Sequence, residues 1–374
     1  MFQKVKEFLI VYKDPIFVFL LIRIAIFILA SFAVQIIPAK GAGGPLHLTL
    51  GNLFLDPWTR WDGERYMAIV EEGYKYGAGF EGNTHFFPLF PILVWVFKFL
   101  IGDASLAGVI LSNVFFFLSL LLMYKMVTDK VGSGAAFKSI FYLSIFPASL
   151  FFSAMYTESL FLLLSLLVFY FADRGKWLAG GIASGLASAT RPMGVLFLPI
   201  LLLAYLADRG YSLRRIRPDV LKIIVFAPLG LLLFMLYQRI IFGSPFVFLK
   251  EVSSSSWGRH FVWPWDTLLN TDYSAMFGLD FVRLGLVLLF LYLSLIVYRK
   301  LGLTYCLYVL LGLLFPLSTG TLASIERYLA VLFPAFVGLA LEGENRLWDA
   351  SITVISIALL AFNVVLFSNW YWVA

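Results

Sequence analysis

The chain has 374 residues, 61% hydrophobic and only 13% charged, with a mean hydropathy of +0.91 and a formal net charge of +6. Apolar runs of the roughly 20 residues that a bilayer-spanning helix needs recur along it, which excludes a soluble domain and points to an all-α, polytopic membrane bundle. Its Lys and Arg residues sit mostly in short loops, which fits orientation by the positive-inside rule and makes nucleic acid an unsuitable partner.

No polar linker divides the apolar runs, so residues 1–374 read as one integral membrane domain. The single cysteine, Cys306, lies in an apolar stretch and reads as packing. The first run, 15–38, follows Lys4, Lys6 and Lys13 and is longer than a cleavable signal segment, so it reads as a retained signal-anchor with a cytoplasmic N-terminus. It delivers 39–105 outside as a first external loop, in which Gly41 to Gly44 read as a turn because no Lys-Ser/Thr follows to complete a phosphate loop.

Whether 86–101 crosses decides the topology. If it crossed, Lys125, Lys130 and Lys138 would fall outside, against the usual bias. The stretch is short, aromatic, and carries Pro88, Pro91 and Lys98, all of which suit an interfacial helix. Helices are then expected over 106–124, 137–152 and 160–172, with Tyr156, Thr157, Glu158 and Ser159 outside. The small-residue stretch 177–189 and the run 193–206 form either a hairpin bent at Arg191-Pro192 or one kinked span. The basic loop with Arg209, Arg214, Arg215, Arg217 and Lys222 marks the cytoplasm. Beyond it come 221–242, a second external loop over 243–280, 281–297, a hairpin of 301–317 and 327–341, and a last span near 352–367. The sum is about eleven transmembrane helices, and no internal repeat marks a two-half transporter.

Ionisable groups at the edge of a hydrocarbon slab are costly unless solvated or paired, so clustering on one side hints at function. Arg60, Asp62, Glu64, Arg65, His85, Glu158, Arg191, Glu326 and Arg327 all fall outside on this topology. Asp62 is either an N-cap for a helix beginning near Gly63 or a general base tuned by Trp61, the apolar interface and neighbouring arginines. Glu64 is a first-turn acid complementing the helix dipole, or makes with Asp62 an Asp-x-Glu pair able to hold a divalent cation or hydroxyl groups. Histidines 47, 85 and 260 have no metal-ligand spacing.

Arg60 and Arg65 are pairing partners or phosphate contacts. His85 is a polar tip at the interface or a substrate contact, and Glu158 a helix cap or a site residue. Arg191 either snorkels or binds phosphate bidentately, as does Arg327 beside Tyr328. Ser253 to Ser256 with Trp257, Arg259, His260, Trp263 and Trp265 form an interfacial aromatic belt or a lid contacting sugar or lipid.

Several uncommon words occur in one order: Arg60-Trp61-Asp62-Gly63-Glu64, Gly73-Tyr74, Phe86-Phe87-Pro88-Leu89-Phe90-Pro91, Pro147 with the stretch 151–161, and Arg191 with Gly194. In these the chain resembles the PIG-V-like mannosyltransferases, relatives of GPI mannosyltransferase 2 in the GT-C class of membrane glycosyltransferases. The resemblance covers roughly the first 200 residues and then thins to 324–334, with Arg327-Tyr328.

It implies transfer of a hexose, with mannose expected, from a polyprenyl-phosphate donor to a glycan, lipid or protein acceptor outside the cytoplasm. Asp62 matches the acidic residue of the first external loop, which the resemblance endows with interfacial helices. Asp62 is then the expected catalytic base, with Arg60, Trp61, Glu64, His85, Glu158, Arg191, Arg327 and Tyr328 contacting substrate and the site facing outside. A compact chain with no evident eukaryotic retention signal favours a prokaryotic plasma membrane. The rival readings are a lipid or sugar transporter or flippase, which requires a charged path across the bilayer, and a non-catalytic subunit of a glycosylation complex.

Overall fold

The computed structural model describes residues 2–40, 52–76, 82–254, 259–273, 278–343 and 345–373. The turn at 41–44, His47, and Ser255, Ser256 and Trp257 of the second loop lie outside the described residues. Among those described there is no β-strand. Helices α1 (Phe2–Val11) and α2 (Lys13–Ile36) lead to α3 (Asp62–Glu72) and α4 (Leu89–Ile101). Then follow α5 (Ala104–Lys130), α6 (Ser133–Ile145), α7 (Glu158–Ala172), α8 (Trp177–Ser188) and α9 (Phe197–Asp208). The second half holds α10 (Val220–Phe226), α11 (Leu229–Phe242), α12 (Val247–Ser254), α13 (Pro264–Asn270) and α14 (Leu279–Leu301). It closes with α15 (Leu303–Leu317), α16 (Ile325–Ala330), α17 (Phe333–Glu342) and α18 (Arg346–Phe367).

By length and apolarity, 5 spans among the described residues can cross a bilayer unaided: α2, α5, the run α10 to α11, α14 and α18. That is fewer than the roughly eleven expected from the span-length yardstick. The other apolar helices are shorter, including α4, α7, α15 and α17. With 13 residues, α4 rises only about 20 Å against a hydrocarbon core of about 30 Å, which fits an interfacial assignment.

Three boundaries depart from the sequence reading, each for a local reason. The stretch 137–152 is not one helix: α6 stops at Ile145, just before Pro147, and the chain runs irregularly to Thr157 through a single 3₁₀ turn, Ser149–Phe152. Irregular backbone in such a bundle survives only where protein groups satisfy it, and here the partner is Arg23 of α2. Buried at 4% exposure, Arg23 donates to the carbonyls of Ser144 and Ser149 at 2.9 Å each, to Ser149 Oγ at 2.6 Å and to Ser153 Oγ at 3.1 Å. Its guanidinium also lies 4.7 Å from the Phe116 ring centre.

The stretch 177–206 is a hairpin rather than one kinked span. A Cβ at Gly194 would stand 2.3 Å from the backbone of Ala187 and Ser188, so only glycine lets the chain turn back this closely. The stretch 327–341 is two helices, broken before Pro334. The carbonyl of Val331 freed at the break accepts the Tyr308 hydroxyl at 2.9 Å.

Charge divides between the two ends of the bundle. Lys130 pairs with Asp173 at 3.0 Å, Lys138 with Asp349 at 3.4 Å and Arg209 with Asp219 at 3.0 Å, where α5, α7 and α9 end and α6, α10 and α18 begin. The starts of α3 and α7 lie at the other end, and with them a second set of charges.

Candidate active site

The chain reaches α3 through a 3₁₀ turn, Asp56–Thr59, and then Trp61, whose φ of 60° is unusual for a bulky residue. Trp61 is held there by the rings of Trp370 and Trp372, with centroids 5.8 and 5.1 Å away. The irregular segment anchored by Arg23 grips the same turn. Met155 N donates to the Trp58 carbonyl at 2.8 Å, and the Tyr156 hydroxyl donates to the Arg60 carbonyl and accepts from Asp62 N, each at 3.1 Å.

Asp62 therefore starts the helix, and its side chain does not cap it. Its Oδ2 accepts from Arg327 at 2.6 Å. The same guanidinium donates from Nε to Glu158 Oε1 at 2.7 Å, and Arg191 stands 2.9 Å from that oxygen. The Arg327 guanidinium sits 4.7 Å from the Tyr156 ring centre and 4.9 Å from that of Phe151. Two carboxylates and two guanidiniums thus balance in a largely buried cluster, the arrangement that makes buried charge tolerable. Exposure separates the acids: the Glu158 side chain is 0% exposed and that of Asp62 14%. Only Asp62 is open to a ligand.

The opening is a cavity of about 850 Å³, lined among others by Asp62, Tyr66, His85, Arg191, Arg327 and Tyr328. A second cavity, about 760 Å³, is lined by apolar residues, glycines and tyrosines, with no Asp, Glu, His, Lys or Arg among the described lining residues. Ionic chemistry belongs to the first. Tyr66, one helical turn after Asp62, has its phenol pushed up by burial and by the charges of Asp62 and Glu158, so it stays a proton-bearing donor. Burial pushes the Tyr328 phenol up as well, but the guanidiniums of Arg259, Arg191 and Arg327 outweigh it and hold the phenol below its ordinary value.

His85 also lines the wall, its Nδ1 3.9 Å from Glu251 Oε2. Glu251 accepts from Thr84 N at 2.9 Å and from the Thr84 hydroxyl, and Gln238 Nε2 donates to the Thr84 carbonyl at 2.8 Å. The segment that follows α11 is thereby fastened to the one that precedes α4.

Four expected substrate contacts are not in the wall, and one of them, Glu158, is buried behind it on Arg327 and Arg191. Arg60 turns inward, pairing with Asp56 at 3.0 Å and donating to the Ser368 carbonyl, with its guanidinium over Trp370. Trp61 is spent on the two tryptophans, and Glu64 does not line the cavity. The Asp-x-Glu pair consequently does not converge, and the described residues contain no group of three or more His, Cys, Asp or Glu suited to a metal ion. Glu326 pairs with Arg283 at 2.9 Å instead. Conversely, Tyr66 and Tyr156 escaped the sequence reading as site residues, and Arg259 entered it only as part of the belt or lid of the second loop. Tyr66 was within reach of it, being four residues after Asp62 on the same helical face; nothing in the spacing pointed to Tyr156.

The sequence model of the family described as Mannosyltransferase (PIG-V) matches residues 15–251, more than half of the chain. The chain belongs to this family. Among characterised PIG-V proteins it is 31% identical over 155 residues to GPI alpha-1,6-mannosyltransferase 2 of Cricetulus griseus, and 28% identical over 175 residues to the same enzyme of Rattus norvegicus. These stretches are 38% and 44% of this chain and only 31% and 34% of the relatives' own length. Both relatives are mammalian and do not speak to a prokaryotic origin. The fold is similar to that of ArnT from Cupriavidus metallidurans, crystallised bound to undecaprenyl phosphate, with a TM-score of 0.53 and 14% identity over 94% of this chain and 76% of that one. This PIG-V family member is thus an integral membrane protein with a GT-C-like helical fold.

Proposed function

We propose that the protein is a membrane glycosyltransferase that moves a hexose, mannose by family, from a polyprenyl-phosphate donor to the hydroxyl of an acceptor outside the cytoplasm. One observation carries this reading: Asp62 is the carboxylate among the described lining residues of an arginine-walled cavity. The acceptor is a glycan, lipid or protein.

In the proposed step, the acceptor oxygen attacks C1 of the sugar while Asp62 takes its proton. The bond from C1 to the phosphate oxygen breaks, and its electron pair leaves with the polyprenyl phosphate. Charge development at C1 resembles that of glycoside cleavage, and a single displacement inverts the anomeric centre. Arg327 aligns the Asp62 carboxylate and Arg191 faces the departing phosphate, fixed positive charges that need no reorganisation as the transition state forms. Tyr66 and His85 are hydrogen-bonding groups for sugar hydroxyls. The Lys and Arg residues at the far end support an outward-facing site by the positive-inside rule, and a prokaryotic plasma membrane stays part of the proposal.

The test is purified protein given labelled polyprenyl-phosphate-mannose and an acceptor extract. Transfer by the native protein and its loss in Asp62→Asn are expected. Transfer undiminished in Asp62→Asn sinks the mechanism and favours a scaffold role, while movement of the lipid across a vesicle without transfer favours a flippase.

A further inference from the structure

The cavity wall is more positive than a single leaving-group contact requires. Among the described lining residues stand four cations, Arg191, Lys250, Arg259 and Arg327, against one carboxylate, Asp62, with Glu158 buried behind Arg191 and Arg327. They are not equivalent. Arg327 has its Nε and one terminal nitrogen on Glu158 and Asp62 at 2.7 and 2.6 Å, and its faces covered by Tyr156 and Phe151. It is placed to hold carboxylates. Arg191, whose guanidinium also stands 2.9 Å from Glu158 Oε1, shares Tyr328 with Arg259. The Arg191 guanidinium lies 5.0 Å from its ring centre, and Arg259 donates to its hydroxyl at 3.3 Å. Arg259 is fixed by the turn ahead of α16 as well, donating to the Ala323 carbonyl at 2.9 Å and to Ser324 Oγ at 3.4 Å.

We infer that Arg259, arriving from the second external loop, and Arg191, from the bend between α8 and α9, form a two-guanidinium clamp across Tyr328 for the phosphate of the donor lipid, with Arg327 reserved for the two carboxylates. The inference rests on the transferase reading above and names residues that reading leaves open. Its chemical sense lies in the balance of the step. The donor phosphate is a diester with one negative charge; when C1 leaves and the electron pair stays on oxygen, it becomes a monoester approaching two at neutral pH. A paired guanidinium site holds the second charge better than the first, so it favours bond breaking over donor binding.

The experiment is isothermal titration of the full-length protein in detergent with farnesyl phosphate, with farnesol and inorganic phosphate as separate arms. The native protein is expected to bind farnesyl phosphate well, inorganic phosphate weakly and farnesol without dependence on Arg259. Arg259→Gln is expected to weaken farnesyl phosphate by about 10- to 100-fold, the loss of a charge-assisted hydrogen bond. Arg259→Lys is expected to recover part of it, because an ammonium keeps the charge without the fork. Tyr328→Phe, which retains the ring, is expected to fall between. A melting curve without ligand, unchanged in Arg259→Lys and Tyr328→Phe, separates these effects from misfolding. Equal binding by native protein and Arg259→Gln overturns the clamp while leaving the transferase reading intact. Inorganic phosphate binding as tightly as farnesyl phosphate overturns the lipid assignment, and no binding of farnesyl phosphate by the native protein overturns both readings.

Discussion

Asp62 and Glu158 accept from the same guanidinium at nearly the same distance, 2.6 and 2.7 Å, yet their replacement is expected to have opposite consequences. In Asp62→Asn the amide oxygen still accepts from Arg327 and Glu158 still supplies a charge. The fold is expected to lose only about 1–2 kcal/mol, the scale of one weakened charged hydrogen bond. The reaction loses its base, at a cost of about 100- to 10,000-fold in rate. In Glu158→Gln two guanidiniums lose their shared, fully buried counter-charge, and breaking such a pair costs about 3–5 kcal/mol. Protein that still folds keeps an acceptor for the proton at Asp62, so its rate per folded molecule is expected to exceed that of Asp62→Asn. The assays are transfer from labelled polyprenyl-phosphate-mannose, normalised to monodisperse protein, and thermal denaturation in detergent. If Glu158→Gln is the less active per folded molecule, or Asp62→Asn the less stable, the division of roles is wrong.

Arg23→Met should cost about 3 kcal/mol or more by orphaning several polar groups around Ser144 and Ser149, with faster hydrogen exchange confined at first to 146–157; uniform exchange would argue against the anchor. Gly194→Ala forces a Cβ to within 2.3 Å of backbone and should destabilise by about 1–3 kcal/mol or abolish insertion; a normal melting temperature contradicts the tight hairpin. Glu251→Ala removes the clasp on Thr84 and should cost about 1–3 kcal/mol locally, seen as earlier protease cutting within 243–280 with the bundle intact. Trp263 and Trp265, stacked with centroids 5.0 Å apart and about half exposed, should be quenched by brominated lipid if they form an interfacial belt; a lid over the cavity predicts protection instead.

Membrane character, the helical class and the two-ended distribution of charge follow from composition and from where Lys and Arg fall, because the hydrocarbon slab acts on stretches of about 20 residues that are contiguous in the chain. Asp62, Glu158 and Arg191 were legible as ionic groups in an apolar neighbourhood for the same reason. Lone Arg23 carried that signal too, inside the first apolar run, and was passed over. The misplaced boundaries at Ile145 and Val331 arose because hydropathy does not register a carbonyl satisfied by Arg23 or Tyr308 from another helix.

Which charges meet was beyond the sequence. Arg60 lies two residues from Asp62 and turns into the core toward Ser368, while Arg327, 265 positions away, closes on the Asp62 carboxylate. Adjacency along the chain fixes backbone distance but not side-chain direction, and the unusual φ at Trp61 aims its neighbours apart. The sequence alone determined that ionic groups would gather at one end of the bundle. Only tertiary packing decided that Arg327 would align Asp62, bury Glu158 behind it and leave Arg60 outside the cavity, because buried charges are stable only where counter-charges converge in three dimensions.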